Sequence, residues 1–117
     1  MRIIDYREVG SDGPGISSEP EGWMPGPDPD RTELVPGHRG GFDLVRLEAG
    51  THVPMHSVPM LAVCVMLEGA GQLRVAGGHE LAFGAGDVIV FPPGLDHEWY
   101  DIRETTIVVV VEDPEAV

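Results

Sequence analysis

Apolar residues in this chain recur with a period of two, in short runs set off by Gly and Pro, and no window carries an apolar stripe of period 3.6. Arg2 to Val9 reads as a first strand, at an edge. Phe42 to Glu48 alternates as a half-buried strand does and ends in a turn at Ala49-Gly50. Leu61 to Leu67 is apolar throughout, which predicts a strand buried on both faces. Glu68 to Gly71 turns the chain and Gln72 to Val75 returns it; Ala76 to His79 is a second tight turn, into Glu80 to Phe83. After Gly84-Ala85-Gly86 come the strand Asp87 to Phe91 and a Pro92-Pro93-Gly94 corner, where no strand continues. His97 to Ile102 and Thr105 to Glu112 read as a closing pair. Many short strands at regular spacing predict an all-β sandwich or barrel.

Residues 10–41 break this pattern, being dense in Gly and Pro and without an apolar period. A stretch of that length between compact elements reads as an arm, a lid or a passive loop. Trp23-Met24 is its one pair with something to bury, by packing on the barrel wall, covering its mouth or reaching a second subunit. Residues 42–112 then form the core of a single domain spanning 1–117.

A length of 117 residues with 42% hydrophobic and 23% charged positions fits one soluble domain able to hold a core without disulfides. The apolar runs fall far short of the ~20 residues of a membrane span, and no secretory leader pattern opens the chain, so a cytoplasmic protein is expected. Seven Arg, no Lys and 20 carboxylates give a formal charge of −13, which argues against nucleic acid and anionic membranes as partners. The single Cys64 excludes an intrachain disulfide and a multi-thiolate metal site, and the absence of Lys excludes lysine Schiff-base chemistry. The chain has no P-loop, dinucleotide glycine fingerprint or serine nucleophile elbow.

From Gly86 to Asp101 the spacing runs Gly, five residues, Pro92, one, Gly94, two, His97, three, Asp101. This resembles the second motif of the cupin superfamily, with Asp101 where the family usually has Asn. Upstream, Gly50, His56 and Gly69 resemble a degraded first cupin motif. The resemblance implies a small double-stranded β-helix (jelly-roll) barrel, commonly a homodimer in which the N-terminal strand is exchanged. It also implies which positions hold metal in metal-binding members: two His separated by one residue, a Glu, and a His from the second motif. Carried onto this chain those positions are His56, Val58, Ala62 and His97, so only two of the four can coordinate.

His52 shares strand parity with His56, but four strand residues span roughly 13 Å, so both reach one ion only if the chain bends sharply near Pro54. Cys64 lies on the face of the missing Glu and can serve as a soft ligand or as a small buried hydrophobe. A divalent transition metal (Fe, Mn, Ni, Cu or Zn) is therefore the less favoured reading, with His56, His97 and His52 as its ligands. The favoured reading makes His56 and His97 the polar groups of an apolar pocket for a small acid or aromatic, with Val58, Ala62, Cys64, Met66 and Trp99 around them. Arg46 joins that pocket only if it faces inward, as a clamp for a carboxylate; outward is the simpler expectation. His38 and His79 fall in Gly-rich turns. Three functions stay open: a small-molecule-binding barrel, a cupin enzyme of oxygenase, isomerase or cyclase type with His56 and His97 as its catalytic residues, and a structural or regulatory dimer with a vestigial pocket.

Overall fold

The protein is described from a computed structural model covering residues 1–9, 28–36 and 40–114; Trp23, Met24 and His38 lie outside the described residues. Among the described residues, ten strands form two facing sheets. The larger sheet contains β1 (Arg2–Asp5), β2 (Asp30–Glu33), β3 (Gly41–Leu47), β5 (Leu61–Glu68), β8 (Asp87–Phe91) and β10 (Thr106–Asp113), in the order β1-β8-β5-β10-β3-β2. The smaller contains β4 (Val53–His56), β6 (Ala70–Val75), β7 (His79–Gly84) and β9 (His97–Tyr100), in the order β4-β9-β6-β7. This is the double-stranded β-helix expected from the sequence: from β3 to β10 the chain crosses between the sheets at every step but the β6–β7 hairpin, and the inner faces of both enclose one interior.

Alternation decides what enters that interior. Ala62, Cys64 and Met66 of β5 are buried while Leu61, Val63 and Val65 are only half-buried and Leu67 is 51% exposed. The apolar run at Leu61 to Leu67 thus has one inner face and one outer face, not the two buried faces expected. A continuous apolar run does not distinguish a covered outer face from an uncovered one. Met66, Leu73, Phe83, Ile89 and Ile102 fill one part of the interior with less than a few per cent exposure each. Thr106 is packed so closely on Gly69 (φ +103°) that a Cβ there would stand 2.1 Å from its Oγ1. Only glycine lets the chain leave β5 at that point and cross to β6.

Three further expectations are corrected. The first strand stops at Asp5, whose carboxylate accepts the Arg7 backbone N–H at 3.0 Å and caps one helical turn, α1 (Tyr6–Val9). The turn carries Tyr6 inward, to stack on Phe91 at 5.7 Å between ring centroids. His97 to Ile102 and Thr105 to Glu112 do not pair with each other. β9 lies between β4 and β6, and β10 lies between β3 and β5 in the other sheet. Asp101, at φ +48°, turns the chain out of the smaller sheet after β9; Asp and Asn both tolerate this left-handed conformation, so Asp can stand where the family usually has Asn. Finally, part of the Gly/Pro-dense stretch is ordered as β2, which pairs antiparallel with β3 from Asp30 opposite Arg46 to Glu33 opposite Asp43. All four of its residues are exposed, so no apolar alternation marks it in the sequence.

Candidate functional site

β4 and β9 run antiparallel, and their register sets His56 directly opposite His97. The two imidazoles meet with centroids 4.4 Å apart and planes inclined at 57°. Each ring is oriented by its own backbone: His56 Nδ1 donates to the Pro54 carbonyl at 2.8 Å, and His97 Nδ1 donates to the Leu95 carbonyl at 3.0 Å. A carbonyl only accepts, so in the neutral form of either ring the hydrogen sits on Nδ1 and Nε2 carries a lone pair. The corner before β9 is tied to the segment after β4, because Gly94 N–H donates to the Val58 carbonyl at 2.9 Å.

His97 is held by aromatic rings. Phe91 stacks on its face at 4.0 Å and 15°, and Trp99 meets Phe91 edge-on at 5.9 Å. Burial dominates the electrostatics: removal from water pushes the His97 imidazolium down to a pKa of about 4, the Leu95 carbonyl opposes this, and His56 adds to it. At neutral pH His97 is therefore an uncharged hydrogen-bond acceptor.

These rings open on a cavity of about 200 Å³ in the part of the interior that the core leaves unfilled. Val58, Ala62, Cys64 and Trp99 line it together with Val45, Leu47, Val108 and Val110. Met66 points inward as expected but sits in the filled part, so it does not line the cavity. Arg46 does not either. It lies between the inward Val45 and Leu47, faces out, and pairs with Glu48 at 2.6 Å. Cys64 is buried, and burial, with the Glu112 carboxylate adding to it, pushes its thiol up to about 12, so without a ligand it stays protonated.

His52 does not join His56 and His97. The register of β4 against β9 shifts between Val53 and His56, placing one extra residue in β4. The bulge lets Val53 and His56 both line the cavity and turns His52 to the opposite face. There its Nε2–H donates to Glu98 at 2.6 Å, while Arg74 holds the other Glu98 oxygen. Glu98 faces away from the cavity, as strand alternation requires, yet is only 1% exposed. Its two partners are what make burial of that charge tolerable.

Sequence reasoning missed Arg31, which β2 brings to the rim of the cavity beside Pro29. Its Nε donates to Asp43 at 2.5 Å and its Nη2 to Glu112 at 2.9 Å. Asp43 precedes the inward Val45 by two residues, and Glu112 follows the cavity-lining Val110 by two, so both carboxylates follow their strands' inward parity. That parity was the one available signal: two acids in phase with apolar inward residues need a cation nearby.

The residues do not fit a resident metal ion. Among the described residues no group of three or more His, Cys, Asp or Glu side chains converges. The side chains of Val58 and Ala62 carry no donor atom, and Glu112 is engaged by Arg31.

Comparison with known proteins agrees with the architecture. The chain superposes on an RmlC-like cupin from Shewanella frigidimarina with a TM-score of 0.66 at 22% identity, covering 74% of this chain and 76% of that one. A protein of unknown function from Streptococcus pyogenes matches with a TM-score of 0.64 at 23% identity, over 92% of this chain and all (100%) of that one. A Thermus thermophilus protein gives 0.65 at 22% identity, over 74% and 84%. At these identities the likeness is one of fold. No curated protein sequence matches the chain significantly. The family profile for the cupin domain matches residues 43–112, the stretch that carries both imidazoles, Asp43 and Glu112, and on this ground the chain belongs to the cupin family.

Proposed function

We propose that this protein is a small-molecule-binding cupin whose ligand occupies the cavity between the sheets, with His56 and His97 as its principal polar contacts. The observation that carries this reading is the cross-strand imidazole pair opening on an otherwise apolar space of about 200 Å³. Apolar walls with a few convergent polar groups are what such sites are made of. Acid–base catalysis is the weaker reading, because a base at about 4 lies well below the operating pH at which a general base is most effective.

Screening a panel of small acids, alcohols and aromatics by thermal shift tests the proposal, with Ala62→Phe as the plugged control. Binding to the folded protein stabilises it by mass action, so hits raise the melting temperature of the wild type. They should leave folded Ala62→Phe unmoved. Hits that act equally on the plugged protein would place binding outside the cavity and end this reading.

The homodimer implied by the resemblance has a surface suited to it on the outer face of the larger sheet, where Ile3 is 62% and Leu67 51% exposed. We expect Leu67→Glu to shift sedimentation toward the monomer, and an unchanged profile would count against that face.

A further inference from the structure

We propose, resting on the cavity as the binding site, that its ligand is an uncharged single-ring molecule that donates a hydrogen bond, of the phenol or cyclic-alcohol class, and that the rim built by Arg31, Asp43 and Glu112 rejects carboxylates. Three independent observations lead there.

The first is size. A dry cavity of about 150 Å³ admits benzene. The space here, about 200 Å³, takes one six-membered ring with one or two small substituents.

The second is hydrogen-bond polarity. The Nδ1 positions of His56 and His97 are spent on the Pro54 and Leu95 carbonyls, which leaves Nε2 as the acceptor of each ring, on rings whose centroids lie 4.4 Å apart. Two acceptors next to each other call for a donor, which a hydroxyl supplies and a carboxylate does not.

The third is charge. Arg31 is the one cation lining the cavity among the described residues, and it is already engaged by Asp43 and Glu112. Arg31 carries one positive charge and its two partners two negative ones, so this cluster, of which Arg31 and Glu112 line the cavity, has an excess of negative charge. A ligand carboxylate would have to displace Glu112 from the guanidinium and then stand beside it. The cation that elsewhere would clamp an acid is here committed to the protein's own carboxylates. A neutral ring passes this rim without that penalty.

Phenol and benzoate share a ring and differ chiefly in donor capacity and charge, and toluene lacks both. Affinities of the full chain for the three, by calorimetry and ligand-observed NMR at pH 7.5, test the proposal. Phenol should bind at least tenfold more tightly than benzoate. Glu112→Gln, of the same shape, leaves the Arg31 Nη2 without its anionic partner, and benzoate should gain about tenfold there while phenol changes by less than threefold. His97→Phe keeps the stacked ring without its nitrogens and should remove the preference for phenol over toluene. Benzoate equalling or exceeding phenol on the wild type would overturn the inference while leaving the cavity reading intact. A phenol preference that survives His97→Phe would also overturn it. If none of the three probes binds, the cavity reading falls and takes the inference with it. The wild-type comparison holds even if a variant fails to fold.

Discussion

Burying His97 in a neutral state ties stability to pH through one identifiable group. Its pKa falls from 6.5 to about 4 on folding. Between those values the unfolded chain binds more protons than the folded one, so stability rises with pH across that window. The contribution is fully present above 6.5 and is lost as pH falls toward 4. At one pKa unit per ~1.4 kcal/mol, moving from pH 7 to pH 5 removes about 2 kcal/mol. That is a large fraction of the ~5–15 kcal/mol typical of a domain. The folded carboxylates with lowered pKa values, Asp5, Glu48 and Asp87, lose their contribution only at more acid pH, so the window above 5 reports chiefly on histidines. Urea denaturation of wild type and His97→Gln at half-unit steps from pH 7.5 to 5 should give curves that converge toward acid, with the wild type losing about 2 kcal/mol more. Titration of the ring by NMR should give a midpoint below 5. Parallel denaturation curves, or a His97 midpoint near 6.5, would refute the argument that this ring is cut off from water.

Other substitutions probe the parts that hold the site. Gly69→Ala forces a left-handed residue against Thr106, and we expect a loss of more than about 2 kcal/mol by urea denaturation. Asp87→Ala strips the acceptor used by Arg2 and by the Gly84 N–H, which should cost about 1–3 kcal/mol and expose β1 to proteolysis. Val58→His with Ala62→Glu puts donors back at both vacant positions of the family pattern, and should confer stoichiometric Co²⁺ binding, seen by visible absorption, where we expect none in the wild type.

The part of the fold governed by strand alternation and turn chemistry was legible in the sequence. Gly86 to Asp101 announced its corner and the strand after it, and parity placed Ala62, Cys64 and Met66 on one inward face. The juxtaposition of His56 with His97 followed from the two motifs. Three things were not legible, each for a physical reason. A β-bulge has no reliable signature in composition, so the reversal that sends His52 to Glu98 could not be foreseen from spacing. β2 is a strand by virtue of its pairing with β3, and its exposed residues show no apolar rhythm. Arg31 was hidden with it. Which strands share a sheet was equally opaque: β9 and β10 are neighbours along the chain but belong to different layers.

The middle of β9 has a consequence for how firmly the pocket is built. His97 and Trp99 face the interior, stacked on or edge-on to Phe91, while Glu98 between them faces the opposite way into the Arg74 and His52 pair. Slipping this strand by one residue would drive an acid into a hydrocarbon wall and strand an aromatic ring where a guanidinium waits. Both sides of the ribbon therefore veto the same error, and the two imidazoles owe their meeting to a strand that has only one way to lie.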